Sequence, residues 1–221
     1  MKIAPFGVGA INTNAYLVWD EETKEAMLID PGDHDRRLDN EIRDKGLNLK
    51  YIVLTHGHCD HICGVPEYKE MFPDVKVVAG KSELEILKDS SKNQAMQFFG
   101  IDTSITPDIL LEDSDTFNLG SLEFRVIETP GHSPGGISIY TENIDNDVWE
   151  DTYHGSLFSG DTLFRQSLGR SDLYGGDMTT LLKSIREKLY SLPDDTVVYP
   201  GHMGYTTIGF EKVNNPFVNG H

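Results

Sequence analysis

The chain has 221 residues, a formal charge of −17, 38% apolar residues spread evenly along it, and only two cysteines, Cys59 and Cys63. That length allows one domain or two small ones, and the lack of a Pro- or Ser-rich linker predicts a single domain over residues 1–221. The charge excludes a nucleic-acid enzyme, which needs a basic track against phosphate, and no run approaches the roughly 20 apolar residues of a membrane helix. The opening Met1-Lys2-Ile3-Ala4-Pro5-Phe6 lacks the apolar region of a signal peptide, and two cysteines are too few for a disulfide scaffold. A reducing, cytoplasmic location is the expectation. The sequence leaves the oligomeric state open.

In chain order, Leu17-Val18-Trp19 and Ala26-Met27-Leu28-Ile29 read as strands joined by a charged hairpin from Asp20 to Glu25. Asp30-Pro31-Gly32 ends the second. Leu38 and Ile42 predict a helix over Asp35 to Lys45, stopped by Gly46. An apolar strand, Tyr51-Ile52-Val53-Leu54-Thr55, follows. Pro66 to Phe72 reads as a short helix and Val75 to Ala79 as a strand. Ser82-x-x-Glu85 reads as a capping box before Leu84, Ile86 and Leu87. Residues Ser90 to Pro107 look irregular, and Met96, Phe98 and Phe99 within them are placed to cover an active site. Strands are predicted at Thr116 to Leu119, Leu122 to Ile127, Gly136 to Tyr140 and Leu157 to Ser159, with an acidic excursion from Glu142 to Tyr153. Asp177 caps a helix in which Leu181, Ile185 and Leu189 recur at helical spacing, and Pro193 lies just past its end. No short internal repeat is present.

The stretch His56-Gly57-His58-Cys59-Asp60-His61 follows the strand at Tyr51 directly. It holds four imidazole and carboxylate ligands within six residues, a donor set for zinc, iron or manganese rather than calcium or magnesium. His56 and His58, two apart, point to one side. Asp60 and His61 reach a second point nearby, so the spacing suggests two ions sharing a site. Three later runs end alike. Phe124 to Gly131 leads into His132, Ser156 to Gly160 into Asp161, and Thr196 to Gly201 into His202. Each places Gly where a strand end must approach a metal. Four strand ends therefore deliver seven ligands: His56, His58, Asp60, His61, His132, Asp161 and His202.

The pattern THxHxDH (Thr55–His61), GHSPG (Gly131–Gly135), GDTLF (Gly160–Phe164) and YPGH (Tyr199–His202) resembles the metallo-β-lactamase-fold hydrolases. Within them it looks most like the glyoxalase II type, which hydrolyses thioesters such as S-D-lactoylglutathione. The run from Phe164 to Asp172 matches the loop after the bridging Asp. Thr206-Thr207-Ile208-Gly209 and Asn214-Asn215-Pro216-Phe217 resemble the tail of small single-domain bacterial members. The resemblance implies an αββα sandwich, two mixed sheets face to face with helices outside. It implies one divalent ion on His56, His58 and His132 and another on Asp60, His61 and His202, with Asp161 bridging. The expected metal is zinc, and iron or manganese suit the same donors. Asp60 and Asp161 are the expected catalytic residues, with a metal-bridging hydroxide attacking the carbonyl of a small-molecule thioester. Only residues 203–221 follow His202, too few for the helical domain that binds glutathione in two-domain enzymes, so the thiol carrier stays open.

The alternative from another class of chemistry is a persulfide dioxygenase-like enzyme, with one iron on the positions of His56, His132 and Asp161. A β-lactamase fits less well, because Asp60-His61 departs from the usual zinc enzymes of that class. A structural zinc module would be closed, four-ligand and Cys-rich, unlike this set. Of the remaining residues, Asp30 is expected to accept a hydrogen bond from a ligating His. Arg165 and Arg170 are candidates to bind a substrate carboxylate, or to anchor their loop through Asp172. Tyr205 either lines the pocket or packs. Cys59 is expected to face away from the ions and Cys63 to be a small core residue. His34 belongs to a helix start, and His154 and His221 are bystanders.

Overall fold

The second strand, β2 (Thr13–Trp19), shows why the fold needs layers. Tyr16 and Val18 face one way and Leu17 the other, by the two-residue period of a strand, and all three are buried. A strand buried on both faces needs cover on both. The structure, a computed structural model that describes residues 1–145, 147–149 and 153–219, supplies it as helix, sheet, sheet, helix.

One sheet runs in sequence order: β1 (Lys2–Val8), β2, β3 (Glu25–Ile29), β4 (Asn48–Leu54), β5 (Lys76–Gly80), β6 (Ile109–Leu111). β1 to β3 pair antiparallel and β3 to β6 parallel. The connections carry α1 (Arg36–Asp44), α2 (Cys59–Ile62), α3 (Val65–Met71), α4 (Leu84–Leu87) and α5 (Ala95–Phe99). The second sheet contains β7 (Thr116–Leu119), β8 (Leu122–Glu128), β9 (Ile137–Thr141), β10 (Ser156–Gly160), β13 (Val197–Pro200) and β14 (Thr206–Thr207), in the order β14-β13-β10-β9-β8-β7. Its β10–β13 pair is parallel and the rest antiparallel. A two-stranded hairpin, β11 (Leu163–Phe164) with β12 (Ser167–Leu168), stands apart. The last helices are α6 (Met178–Lys183), which runs on through Leu189, and α7 (Ile208–Asn214).

Three apolar layers follow from this order. Tyr16, Val18, Ile29 and Val53 meet Phe124, Ile139, Phe158 and Tyr199 between the sheets. Leu17, Leu28 and Ile52 meet Leu38, Ile42 and Tyr68 on the outer side of the first sheet. Leu157 and Val198 meet Leu181, Ile185 and Leu189 on the outer side of the second.

The predicted helix at Asp35–Lys45 is α1, with the Asp35 side chain accepting from Arg37 N at its start. Asp177 caps α6 through Thr180 N. The capping box at Ser82 is a correction. Ser82 lies inside a tight turn, Lys81–Glu83, and caps nothing. Glu85 is on the surface with Lys92 and Tyr174. β1 was not predicted, because Pro5 and Gly7 disguise it; it is an edge strand, where a missing N–H is tolerated. α5 falls within the stretch read as irregular, bracketed by left-handed Gln94 and Gly100. Of the acidic excursion, residues 146 and 150–152 lie outside the described residues, as does His221. Among the described residues, no helix is long and apolar enough to cross a membrane.

Candidate metal centre

All four ligand-bearing strand ends emerge on one edge, and main-chain hydrogen bonds join the two sheets there. Ile137 N donates to Thr55 O (2.8 Å), and Asn14 N donates to Gly201 O (2.7 Å). Beside β4, the end of the parallel β3 brings Asp30 to Thr55. Asp30 takes the left-handed backbone conformation (φ 51°), an uncommon state for a non-Gly residue. This turns its carboxylate inward, where it accepts from Thr55 N (2.8 Å) and Thr55 Oγ1 (2.6 Å) and lies 3.0 Å from His61 Nδ1.

For three of the five histidines, hydrogen bonds select which ring nitrogen faces the centre. Thr55 Oγ1 spends its proton on Asp30, so His56 Nδ1–H donates to Thr55 Oγ1 (3.1 Å) and leaves Nε2 a lone pair. His132 Nδ1–H donates to Arg170 O (2.7 Å), again leaving Nε2 free. His61 gives its Nδ1–H to Asp30. The pattern of a ring N–H fixed by a carboxylate or carbonyl is that of metal-ligating histidines.

Two donor sets result. His56 Nε2, His58 Nδ1 and His132 Nε2 converge, with His132 Nε2 2.8 Å from His58 Nδ1 and 3.2 Å from His56 Nε2. Protons shared among three ring nitrogens cannot satisfy all of them, whereas one cation can. At zinc–nitrogen bonds of about 2.0–2.1 Å, a tetrahedral site sets nitrogens roughly 3.3 Å apart, close to these spacings. The second set has His61 Nε2 and His202 Nε2 each 3.2 Å from Asp60 Oδ2. Asp161 faces both sets. Its Oδ2 lies 3.6 Å from His132 Nε2 and 3.5 Å from His202 Nε2, and its Oδ1 lies 3.3 Å from His61 Nε2. His61 Nε2 and Asp161 Oδ1 are buried without a hydrogen-bond partner, and a cation between them would satisfy both. The donors therefore fit a pair of divalent ions.

The charge balance agrees. Burial disfavours the charged form of Asp60, yet the positive charge of His61, with the His202 ring also beside it, outweighs burial and holds the carboxyl far below its usual range. Asp161 is likewise lowered, burial being overcome by His61, His132 and His202. Burial works against a charge on His61 too, but Asp60, Asp161 and Asp30 raise its pKa well above the ordinary value. Burial and the surrounding rings push His56 far down and His58 to about 3. His132 is lowered by burial against the pull of Asp161. One triad is thus neutral and the other zwitterionic.

A cavity of about 560 Å³ opens over both sets, floored by His58, Asp60, His132, Asp161 and His202. Gln94, Phe98 and Phe99 line it, as the Ser90–Pro107 stretch was expected to do, together with Phe164 and Arg170; Met96 is exposed and not among the lining residues. Cys59 lines the cavity but belongs to neither donor set, and Cys63 is half-buried in an adjoining pocket. Arg170 lies at the cavity with its guanidinium on Asp172 (2.7 and 2.8 Å). One expectation is corrected and one open alternative is decided. Arg165 is not at the cavity; its guanidinium stacks 5.6 Å from the Phe210 ring. Tyr205 packs on Tyr199 and Trp149 (5.1 and 6.0 Å) instead of lining the cavity. His34 pairs with Asp39 of α1 and His154 with Asp195, both away from the centre.

Sequence reasoning missed three contributors. Thr13 Oγ1 donates to Asp60 Oδ2 (3.0 Å), and no signal marked it. The Arg170 carbonyl orients His132, a main-chain role that side-chain identity does not reveal. Glu83, 1% exposed, accepts from Gly57 N, Ser133 Oγ and Gly135 N. Nothing in the sequence set it apart from its surface neighbour Glu85.

The model of the metallo-beta-lactamase superfamily matches residues 8–202. A probable metallo-hydrolase, YqgX of Bacillus subtilis, is 37% identical over 100% of this chain and 99% of its own. The hydroxyacylglutathione hydrolase GloC of Haemophilus influenzae is 37% identical over 99% of each. Among solved structures, that of BLEG-1, described as a B3 metallo-beta-lactamase, is 38% identical with a TM-score of 0.86 over 98% of this chain and 99% of the other. TTHA1623 in a di-iron-bound form is 36% identical at 0.79, over 97% and 99%. ETHE1 from Myxococcus xanthus is 28% identical at 0.77, over 100% and 85%.

Proposed function

The chain belongs to the metallo-beta-lactamase superfamily, and from that premise we propose that it is a two-metal hydrolase of thioesters, of the hydroxyacylglutathione hydrolase kind. The observation that carries the reading is Asp161, one carboxylate within 3.6 Å of a nitrogen in each donor set. Two divalent ions supply, when bound, a Lewis acid for the carbonyl and an activated water at neutral pH. His56, His58 and His132 would hold one, Asp60, His61 and His202 the other, and Asp161 both. The donors suit zinc, iron or manganese, and zinc is our assignment.

The chain's own part is positioning. Asp30, Thr55 and the Arg170 carbonyl fix the ring tautomers. Asp60, steadied by Thr13 Oγ1, is placed to orient the attacking water. Phe164, whose ring lies 5.9 Å from that of His202, excludes bulk water from the floor. No Ser or Cys nucleophile is needed. The reading takes residues 1–221 as one domain of a cytoplasmic enzyme whose partner is a small molecule, with neither nucleic acid nor membrane involved.

Metal-replete protein should contain two ions per chain and hydrolyse S-lactoylglutathione, losing the activity on chelation and regaining it with zinc. Asp161→Ala should lower ion content at both sets and cut activity by several orders of magnitude, whereas His56→Ala should empty mainly one. A fully active Asp161→Ala enzyme would overturn the assignment. A second reading, a one-iron persulfide dioxygenase, is favoured by the proximity of His56, His132 and Asp161 alone (3.2 and 3.6 Å). One ion per chain with oxygen uptake on a persulfide would establish it. A β-lactam substrate belongs in the same assay, given the similarity to BLEG-1.

A further inference from the structure

The wall of the cavity says more about the substrate than its floor does. Away from the donor side chains it is mostly apolar, with Ile11, Phe98, Phe99, Phe164 and Leu173 outnumbering the polar Gln94 and Arg170. Ile11 and Phe98 are 58% exposed and Phe99 is 42% exposed. Apolar groups gathered in water around one opening mark a place where an apolar ligand sits. The charges point the same way. Among the described residues, Arg170 is the one Lys or Arg lining the cavity, and Asp172 engages its guanidinium through two hydrogen bonds. Arg165, on the same loop, is spent on Phe210. An adjoining pocket of about 250 Å³ shares Ile11, Asp60 and Phe99 with the main cavity, and it adds Asp33 and no cation. An anionic thiol carrier would therefore find no unpaired cation on this wall, in a chain of net charge −17.

We propose that the substrate carries an uncharged apolar chain beside the scissile carbonyl, seated against Phe98, Phe99 and Phe164, and that a carboxylate at the far end of that chain is rejected. The inference rests on the thioester-hydrolase reading for the identity of the carbonyl, though the apolar seat can be tested without it. Each methylene that enters the cavity leaves water. At about 0.8 kcal/mol per buried CH₂ and about 1.4 kcal/mol per decade, it strengthens binding by up to about fourfold.

The test uses metal-loaded protein and the straight-chain hydroxamic acids from acetohydroxamic to decanohydroxamic, with affinities read by calorimetry. Affinity should climb by about two- to fourfold per methylene until the cavity is full. The double variant Phe98→Ser/Phe99→Ser, which changes two exposed side chains, should flatten that climb while Tm stays put. A terminal carboxylate on the longer chains should weaken binding at least tenfold. A flat series, or equal binding of the carboxylate-tipped chains, would overturn the proposal. A parallel turnover arm uses acyl thioesters of the neutral thiol N-acetylcysteamine, acetyl esters of alkanethiols, and S-lactoylglutathione. A rise of kcat/KM along the acyl or the thiol series supports the proposal and says which side of the thioester fills the cavity. Preference for S-lactoylglutathione over every longer chain would overturn it and leave thioester hydrolysis standing. A rising hydroxamate series without hydrolysis of any thioester would support the apolar seat and overturn the thioester reading.

Discussion

Glu83 receives three hydrogen bonds and coordinates nothing, yet it joins the two loops that bring the three-histidine set together. It accepts from Gly57 N (2.9 Å), between His56 and His58, and from Ser133 Oγ (3.0 Å) and Gly135 N (2.7 Å), just after His132. Burial pulls its pKa up against these three donors. Glu83→Ala would strand two buried N–H groups at about 1–3 kcal/mol each, so a loss of roughly 3 kcal/mol in stability is expected by denaturant unfolding. The more telling result is at the metals. Groups that orient ligands without touching the ion are worth about 10–100-fold in affinity. Competition with a chromophoric chelator should show that loss at the His56/His58/His132 set and little change at Asp60/His61/His202. Glu83→Gln should recover only part, because its amide accepts from one N–H and turns a donor toward the other. Equal weakening of both sets would make Glu83 a general structural residue instead.

At the scale of elements, the site is a set of strand ends, and glycine sets how closely they approach. Gly201 follows β13, and a Cβ there would sit 2.3 Å from Asp161 Oδ1 and 2.7 Å from His61 Cε1. Gly160, left-handed at φ 49°, would put a Cβ 2.3 Å from Thr55 Oγ1. Gly201→Ala should therefore push the Asp161 carboxylate off its position at a cost of about 1–3 kcal/mol in overpacking. Elemental analysis after dialysis against a weak chelator should show ions lost from both sets; full retention of two ions would mean the strand end can shift. The seven donors were legible because strand, glycine and ligand follow one another in each local stretch, as Val198-Tyr199-Pro200-Gly201-His202 does. β1 was not, since Pro5 looks like a breaker until the strand is known to lie at an edge. The three-residue β6 and two-residue β14 exist by pairing with β5 and β13, which short-range pattern does not contain. Arg165 was misplaced, and Tyr205 was left open between lining and packing, for a related reason. Their partners Phe210, Tyr199 and Trp149 are chosen by tertiary packing, and sequence proximity to a ligand does not fix where a side chain points.

Across the whole molecule, the burial of so many ionisable groups ties stability and metal uptake to pH. In metal-free protein the fold holds His56, His58 and His132 neutral, with pKa values lowered chiefly by burial. Unfolding frees them to protonate near 6.5. Stability rises with pH wherever the unfolded chain binds more protons, so these three contribute stability that is present above about 6.5 and lost as pH falls below it. His61 has the opposite sign. Its raised pKa gives stability that is full below about 6.5 and lost as pH climbs through its higher folded value. Asp60 and Asp161, both lowered, add a further loss only near and below the ordinary Asp range. Between pH 7 and 5 the three neutral histidines dominate, and the loss should be on the order of 4 kcal/mol, seen as a falling Tm of the chelator-treated protein. A flat Tm over that interval would contradict the neutral triad. Metal binding draws on the same protons, because ligands must be deprotonated to coordinate. At pH 7 the triad has none to give, whereas His61 holds one between Asp30, Asp60 and Asp161. Zinc added to metal-free protein in weak buffer should therefore release up to about two protons per chain to an indicator dye, one from His61 and one from the activated water, and His61→Ala should remove about one of them. Equal proton release from the unsubstituted and His61→Ala proteins would show that His61 is already neutral, and that the acidic pocket around it does not hold the proton its three carboxylates favour.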